Sequence, residues 1–205
     1  MRVDRPAPGE ELNDGPETPA RLAASLILLR DSPTGPEVLL VRRNPAARFM
    51  GGAWVFPGGA VREDESPADA ALRELDEEAG VRLDPGADGL VPFSRWITPA
   101  EVKIRFDTFF YVAAAPVGAE AVADGEECVD AVWRRPADAL DEYARGEREL
   151  VFPTIKHLEQ LAEWPSAEAA LAAAGARDVE PVQPRIVVED GEGRVLLPGE
   201  PGFGD

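Results

Sequence analysis

Three glutamates, Glu74, Glu77 and Glu78, lie close together in one short stretch of the chain. If this stretch is helical, a rotation of about 100° per residue places the three carboxylates on one arc of the helix. Glu74 and Glu78 then form an i,i+4 pair of like charges, which destabilises a helix by roughly a few tenths of a kcal/mol. Hard divalent cations such as Mg²⁺ bind carboxylate oxygens and often bridge to substrate phosphates. The spacing therefore indicates either a solvated helix face or a metal site, and the repulsion makes sense if metal fills the arc.

The segment that carries these glutamates has the start and stop signals of a helix. Ser66 is a good N-cap, Pro67 takes the favoured first helical position, and Asp69 falls where a capping-box acid helps. Gly80 supplies the C-terminal stop. Apolar residues of the segment, Leu75 among them, gather on a neighbouring arc that faces a core. The sequence therefore predicts a helix that holds the glutamates at the edge of a hydrophobic core.

The residues around this helix extend the pattern. Gly59 is followed by five residues, then Glu65, then seven residues, and then the run from Arg73 to Val81. This arrangement resembles, without a departure, the Nudix box, and the resemblance to the Nudix hydrolase superfamily covers roughly residues 21 to 165. It implies an α/β fold, with an α/β/α sandwich around a mixed β-sheet. It also implies hydrolysis of a nucleoside diphosphate linked to another group, with Mg²⁺ or Mn²⁺ as cofactor.

The same resemblance implies roles for the residues of the box. Arg73 is expected to orient a glutamate, with Glu65 or Glu77 as its partner, and the carbonyl of Gly59 adds to the metal ligands. The expected catalytic residues are Glu65, Arg73, Glu74, Glu77 and Glu78. The expected metal ligands are Gly59, Glu74, Glu77, Glu78 and Glu127.

The last of these ligands comes from outside the box, because members of the superfamily often recruit a further acid from a loop. Residues 124–130 offer Glu126 or Glu127 just before a predicted strand, and the sequence does not choose between them. The chemistry needs such acids because a diphosphate repels an incoming water by its own negative charge. Metal ions neutralise that charge and lower the pKa of a bound water, and a nearby glutamate can then take the proton.

The stretch upstream of the box, Leu39 to Gly59, resembles a motif of the coenzyme A diphosphatases of this superfamily. Two positions depart, because Val41 stands where Thr is usual and Asn44 stands where Ser or Ala is usual. Residues 95–99 and 105–110 further resemble the branch that cleaves acyl-CoA. The matching positions upstream are Arg43, Arg48, Gly52 and the run Phe56-Pro57-Gly58-Gly59.

Basic residues in this stretch form a local positive island in an acidic chain. Guanidinium groups bind phosphate oxygens bidentately, although arginines at a strand end are also commonly solvated or paired with acids. We predict CoA or acyl-CoA as the substrate, with ADP-ribose or a dinucleotide as the alternative. A non-catalytic nucleotide sensor is the alternative from another class, but such domains commonly lose box glutamates, which are all retained here. The predicted substrate-binding residues are Arg42, Arg43, Arg48 and Phe56.

The overall charge limits the partners. The chain has 205 residues, with 21 Lys plus Arg against 39 Asp plus Glu and a formal net charge of −18. A protein held on nucleic acid or on an anionic membrane needs a basic surface. We therefore expect a small-molecule nucleotide partner and neither nucleic acid nor a membrane. No apolar run approaches the ~20 residues of a membrane span and the N-terminus has no apolar signal core, so a cytoplasmic location is expected; a homodimer is left open.

The order of the predicted elements suggests one α/β domain with additions at both ends. Residues 1–20 are expected to be a mobile tail, and residues 21–165 the Nudix domain. Residues 166–205 are expected to form a helical segment and a small C-terminal β-hairpin with an Asp-Gly-Glu-Gly turn. This hairpin could lid the acyl or pantetheine end of a substrate, or could pack on the domain or a partner subunit, and packing is favoured. His157 is predicted to be a packing or surface residue rather than a catalytic base, and Cys128 a buried packing residue. The predicted core or pocket-wall tryptophans are Trp54, Trp96 and Trp133.

Overall fold

The computed structural model describes residues 11–13, 15–83, 89–189 and 192–204. These residues form ten strands and four helices. The strands are β1 (Arg21–Ser32), β2 (Gly35–Arg43), β3 (Trp54–Val55), β4 (Gly58–Ala60), β5 (Val91–Ile97), β6 (Phe106–Ala114), β7 (Cys128–Arg134), β8 (Pro181–Val182), β9 (Arg185–Glu189) and β10 (Glu192–Leu196). The helices are α1 (Pro67–Ala79), α2 (Pro136–Arg145), α3 (Phe152–Leu161) and α4 (Ala167–Gly175).

The main sheet is mixed, with the long strand β1 near its centre. Its strand order is β3-β2-β1-β6-β5-β8, with β4 paired to β1 and β7 paired to β2. Strand β1 runs antiparallel to β2 and β4 but parallel to β6. Its middle residues are buried without interruption, as expected for a strand covered on both faces, where an apolar run replaces the usual alternation.

Two apolar layers pack on opposite faces of this sheet. Strand β1 contributes side chains to both layers, because successive side chains of a strand point to opposite faces. Leu26 and Leu28 pack in one layer with Leu75 of α1. Ile27 packs in the other layer with Leu158 of α3, and residues of α2 and α4 join them. Helices therefore cover both faces of a mixed sheet, which confirms the predicted α/β/α sandwich.

Helix α1 forms as its sequence predicts. Ser66 Oγ accepts a hydrogen bond of 3.1 Å from the Asp69 backbone N–H, and Pro67 is the first helical residue. Gly80 ends the helix with a φ of 66°, and its N–H donates to the Asp76 carbonyl over 3.0 Å. This left-handed conformation is readily available only to glycine. Local capping alone therefore fixes the limits of the helix that carries the glutamates.

The predicted C-terminal hairpin is present as a separate two-stranded sheet formed by β9 and β10. In its register Ile186 lies opposite Val195, and Val187 lies opposite Arg194. The predicted Asp-Gly-Glu-Gly turn spans residues 190–193. Its first two residues lie outside the described residues, and its last two already belong to β10. The short strand β8, which the sequence did not predict, pairs parallel with β5 at the edge of the main sheet.

The described part of the expected N-terminal tail lies against the loop before β6. Leu12 forms a β-bridge with Val102, and the Asn13 N–H donates to the Glu101 carbonyl over 2.7 Å. The buried guanidinium of Arg105 contacts the carboxylate of Glu17. These contacts anchor a stretch that its composition predicted to be mobile, because a buried arginine requires polar partners. The division of the chain at residues 20 and 165 stays a prediction.

Candidate active site

The box glutamates lie where the N-terminal half of β1, the short strand β4 and helix α1 meet. Glu74 and Glu78 are 8% and 2% exposed, whereas the side chain of Glu77 is half exposed. Glu78 Oε2 accepts a hydrogen bond of 2.9 Å from the Gly58 backbone N–H, while its Oε1 is buried without a hydrogen-bond partner. Buried carboxylates are costly unless they are neutralised or paired, so Glu78, with one oxygen unpartnered, requires a proton or a cation.

The electrostatics of the two buried acids agree with this requirement. Burial raises the pKa of Glu78 to about 7, and the neighbouring charge of Glu74 adds to the effect although the Gly58 N–H opposes it. Burial also raises the pKa of Glu74, against the opposing effect of its hydrogen bond with Arg73. Cys128 lies beside Glu78 and is fully buried, and desolvation raises the pKa of its thiol.

Arg73 holds several acids of the box at once. Its Nε and Nη2 donate to the two oxygens of Glu65 over 2.8 and 2.9 Å, a bidentate pair. Its Nη1 donates to Glu74 over 2.6 Å and to Glu77 over 2.8 Å. The hydrogen bonds from Arg73 lower the pKa of Glu65 to about 2. Sequence analysis offered Glu65 or Glu77 as the partner of Arg73; the structure pairs it with both, and with Glu74 as well.

Two glycines allow this close packing of carboxylates on the backbone of β4. A Cβ atom added at Gly59 would lie 2.5 Å from Glu74 Oε1, and one added at Gly58 would lie 2.5 Å from the carbonyl oxygen of Ala24. Real Cβ atoms do not approach other atoms so closely, so any other residue would displace the Glu74 carboxylate or separate β4 from β1. Gly59, which begins the box, therefore leaves the space that the Glu74 carboxylate occupies.

Of the two acids in the loop before β7, Glu127 lines the same cleft as Glu74 and Glu77, whereas Glu126 does not. The box residues Glu65 and Glu78 are not among the residues that line this cleft. The loop is held by Asp124, whose carboxylate accepts hydrogen bonds of 2.8 to 2.9 Å from the backbone N–H groups of residues 126–128. Asn44 reinforces it, donating from its backbone N–H to the Glu127 carbonyl over 2.8 Å. Although burial opposes the change, these backbone donors lower the pKa of Asp124.

Asp124 was not among the residues predicted from the sequence. The Asp-Gly pair that begins this loop is a usable signal, since Asp side chains commonly cap backbone N–H groups two or three residues on.

The donor set fits a hard divalent cation, although the side chains are not yet gathered around one point. As they stand, no group of three or more His, Cys, Asp or Glu in the described part of the chain is arranged to hold a metal ion. The guanidinium of Arg73 lies against Glu74 and Glu77 and holds both carboxylates through ion pairs. The unpaired Glu78 Oε1 and the cleft-lining Glu127 supply further carboxylate oxygens, the ligands that Mg²⁺ and Mn²⁺ prefer.

A cleft of about 580 Å³ joins Glu74, Glu77 and Glu127 to a wall of apolar side chains. Of the predicted substrate-binding residues, Arg43 and Phe56 line it, whereas Arg42 and Arg48 do not. Neighbouring side chains of a strand point to opposite faces, so Arg42 and Arg43 of β2 do not share one surface. Arg42 is exposed opposite Asp130 of β7, and Arg48 is exposed on the following loop.

Two cleft arginines were missed by sequence analysis, Arg21 at the start of β1 and Arg62 after β4. Arg62 pairs with Glu77 over 3.2 Å. No motif marked either residue, because only the pairing of β4 with β1 brings them to the cleft.

His157 is the packing residue that its sequence context predicts. It is 2% exposed and has aromatic neighbours on several sides, with the Phe110 ring centroid 4.4 Å away. Its Nε2 lies 2.7 Å from Ser94 Oγ, and its Nδ1 has no hydrogen-bond partner. Burial, with a smaller effect from Arg177, lowers the pKa of His157 to about 3, so the ring is neutral at pH 7. Trp96 lines the cleft, and Trp54 belongs to the buried core.

Comparisons with known proteins agree with this geometry. A family model described as "NUDIX domain" matches residues 19–154. A protein provisionally named nudix hydrolase 7 from Caenorhabditis elegans is 30% identical over 189 residues, covering 70% of this chain and 61% of the relative. A protein provisionally named 8-oxo-dGTP diphosphatase 3 from Mycobacterium tuberculosis is 33% identical over 125 residues, covering 61% of this chain and 52% of the relative. The chain thus spans less than two thirds of the length of both relatives.

Among solved structures, a NUDIX hydrolase from Alicyclobacillus acidocaldarius superposes with a TM-score of 0.66 at 30% identity. The superposition covers 76% of this chain and 96% of that chain. The names of these relatives support a hydrolase. No helix in the described ranges has the length and apolar character needed to cross a membrane.

Proposed function

The chain belongs to the NUDIX family, and on this premise we propose that it is a metal-dependent hydrolase of CoA or acyl-CoA. Cleavage of the diphosphate would give 4′-phosphopantetheine, or its acyl form, and adenosine 3′,5′-bisphosphate. One observation carries the proposal: a single cleft contains the acids Glu74 and Glu127 together with Arg43 and Phe56 of the upstream motif. Acids for a cation and a guanidinium for phosphate oxygens thus lie on one surface.

In this proposal the chain's own residues bind and orient the reacting groups. The residues that would hold Mg²⁺ or Mn²⁺ are Gly59, through its carbonyl, and Glu74, Glu77, Glu78 and Glu127. When bound, the ion neutralises the charge of the diphosphate and lowers the pKa of water. Arg73 fixes the carboxylates of Glu74 and Glu77 through hydrogen bonds of 2.6 and 2.8 Å. A cleft glutamate can accept the proton of the attacking water.

Three arginines supply positive charge for a substrate with several phosphates. Arg21, Arg43 and Arg62 all line the cleft, and CoA carries a diphosphate and a 3′-phosphate. A guanidinium can bind such oxygens through two parallel hydrogen bonds. This local charge would offset the negative field of a chain with net charge −18. The substrate is a small-molecule nucleotide in this proposal, and the cytoplasmic location and a homodimer stay predictions.

ADP-ribose or a dinucleotide is the alternative substrate, since the cleft acids would serve any nucleoside diphosphate derivative. The name of the M. tuberculosis relative contains 8-oxo-dGTP diphosphatase, so 8-oxo-dGTP is a further candidate substrate. A nucleotide sensor is disfavoured, because every acid of the box is present and Arg73 holds three of them in place.

The test is a substrate panel. The purified protein with Mg²⁺ or Mn²⁺ is incubated separately with CoA, acyl-CoAs, ADP-ribose, NADH, diadenosine polyphosphates and 8-oxo-dGTP, and the products are identified by mass. We expect adenosine 3′,5′-bisphosphate from CoA or acyl-CoA at the highest kcat/KM. Preferred cleavage of any other member of the panel would refute the CoA assignment, and tight binding without turnover would indicate the sensor.

A further inference from the structure

The cleft extends well beyond the acids, into a region that we term the apolar compartment. Its walls include Trp96 at the end of β5, Val102 in the following loop, Phe106 at the start of β6 and Phe152 at the start of α3. The rings of Trp96 and Phe152 lie edge to face with centroids 6.0 Å apart. These side chains offer apolar surface rather than the fixed hydrogen-bonding groups that reading a nucleobase edge requires.

The position of this compartment in the sheet defines how far a ligand must reach. Strand β4, which carries Gly59, pairs with β1, β1 pairs with β6, and β6 pairs with β5, which carries Trp96. Three steps between paired strands amount to about 14 Å. A ligand that reaches both the acids and the apolar compartment must therefore extend well past its diphosphate.

The C-terminal hairpin forms part of the wall of this compartment. Ile186 of β9 and Val195 of β10 lie opposite each other in the register and both line the cleft, as does Pro184 just before the hairpin. Ile186 is 9% exposed, and its backbone N–H donates to Glu101 Oε2 over 3.2 Å. The hairpin is thus fastened to the loop that also carries Val102, with one apolar face turned toward the cleft.

We propose that Ile186 and Val195 form a subsite for the acyl group of an acyl-CoA, so that the hairpin makes acyl-CoA a better substrate than free CoA. This inference rests on the proposed function. The diphosphate would lie at the acids, and the pantetheine arm supplies the length that the separation of the two ends requires. Each methylene that leaves water for an apolar surface is worth about a fourfold gain in binding.

The test compares kcat/KM for free CoA and for saturated acyl-CoAs of two to ten carbons in four proteins. These are the natural sequence, Ile186→Asp, Val195→Asp and the matched control Val187→Asp, whose side chain belongs to the opposite face of β9 and is absent from the cleft lining. In the natural sequence we expect kcat/KM to rise with chain length by up to about fourfold per methylene until the compartment is full.

The readout is the ratio of kcat/KM for octanoyl-CoA to kcat/KM for free CoA. We expect this ratio to fall at least tenfold in Ile186→Asp and Val195→Asp and to stay within twofold in Val187→Asp. Circular dichroism melting identifies a variant that fails to fold. If one of the two aspartate variants in the subsite does not fold, the other is sufficient for the test. Equal losses for free CoA and acyl-CoA, or a natural protein that cleaves CoA without any chain-length dependence, would refute the subsite and leave the proposed function standing. A protein that cleaves no CoA species would overturn both.

Discussion

Acid sensitivity of the fold is expected to depend strongly on His157. The ring is buried among aromatic side chains and its pKa is lowered to about 3, against an ordinary value of 6.5. Between these values the unfolded chain binds a proton that the folded protein excludes, so folding stability falls as pH decreases from 6.5 toward 3. The full difference corresponds to about 5 kcal/mol, since each pKa unit is worth about 1.4 kcal/mol. At pH 5 the loss is already about 2 kcal/mol.

Replacement His157→Phe removes this titration and keeps an aromatic ring among Phe56, Phe93 and Phe110. The variant also loses the contact of Nε2 with Ser94 Oγ, so Ser94→Ala is the control for that contact. The free energy of unfolding is measured by urea denaturation from pH 8 to pH 5. We expect the natural sequence and Ser94→Ala to lose about 2 kcal/mol more than His157→Phe over this range.

Other groups that titrate in the same range, such as Glu78, contribute equally to the change in unfolding free energy of all three proteins. Their contribution therefore cancels when the proteins are compared with each other. Equal losses in the natural sequence and in His157→Phe would refute the reasoning, because they would show that the buried ring takes up its proton without cost.

Three further predictions concern the site. Glu74→Gln should lower kcat by about a hundredfold or more and leave the melting temperature within a few degrees, since the amide oxygen can still accept from the neighbouring guanidinium; normal turnover would refute its role. Asp124→Ala should raise the Mg²⁺ concentration needed for half-maximal activity about 10- to 100-fold, because Asp124 holds the loop that carries Glu127. An unchanged Mg²⁺ titration would contradict this. Arg43→Ala should raise KM about 10- to 100-fold by removing a charged hydrogen bond to phosphate, while the exposed control Arg42→Ala changes it less than twofold; equal effects would show that the cleft does not distinguish them.

Local residue chemistry alone determined helix α1 and the arc of acids on it. The N-cap Ser66, the first-turn Pro67 and the C-terminal Gly80 act within a few residues of each other, so their effect can be read from the sequence. The spacing of Glu74 and Glu78 similarly follows from helical geometry. The mixture of strand and helix patterns predicted an α/β domain. The layered α/β/α arrangement was implied by the resemblance to the Nudix superfamily.

Other features depended on contacts between distant parts of the chain. Which arginines reach the cleft was decided by the face of β2 and by the pairing of β4 with β1, so Arg43 and Arg62 line it and Arg48 does not. Glu127 lines the cleft and Glu126 does not, in a loop whose backbone N–H groups donate to the Asp124 carboxylate.

The C-terminal hairpin also shows that local sequence patterns do not determine contacts between distant parts of the chain. Its strands were predicted from the alternation and the turn signal, which are local, and the sequence favoured simple packing for it. Its contribution of Ile186 and Val195 to the cleft wall depends on a contact with Glu101, far away in the chain. The sequence by itself thus determined which acids could carry the chemistry. Only the tertiary structure decided which arginines and which apolar side chains surround them, because residues brought together by long-range packing have no fixed spacing in the sequence.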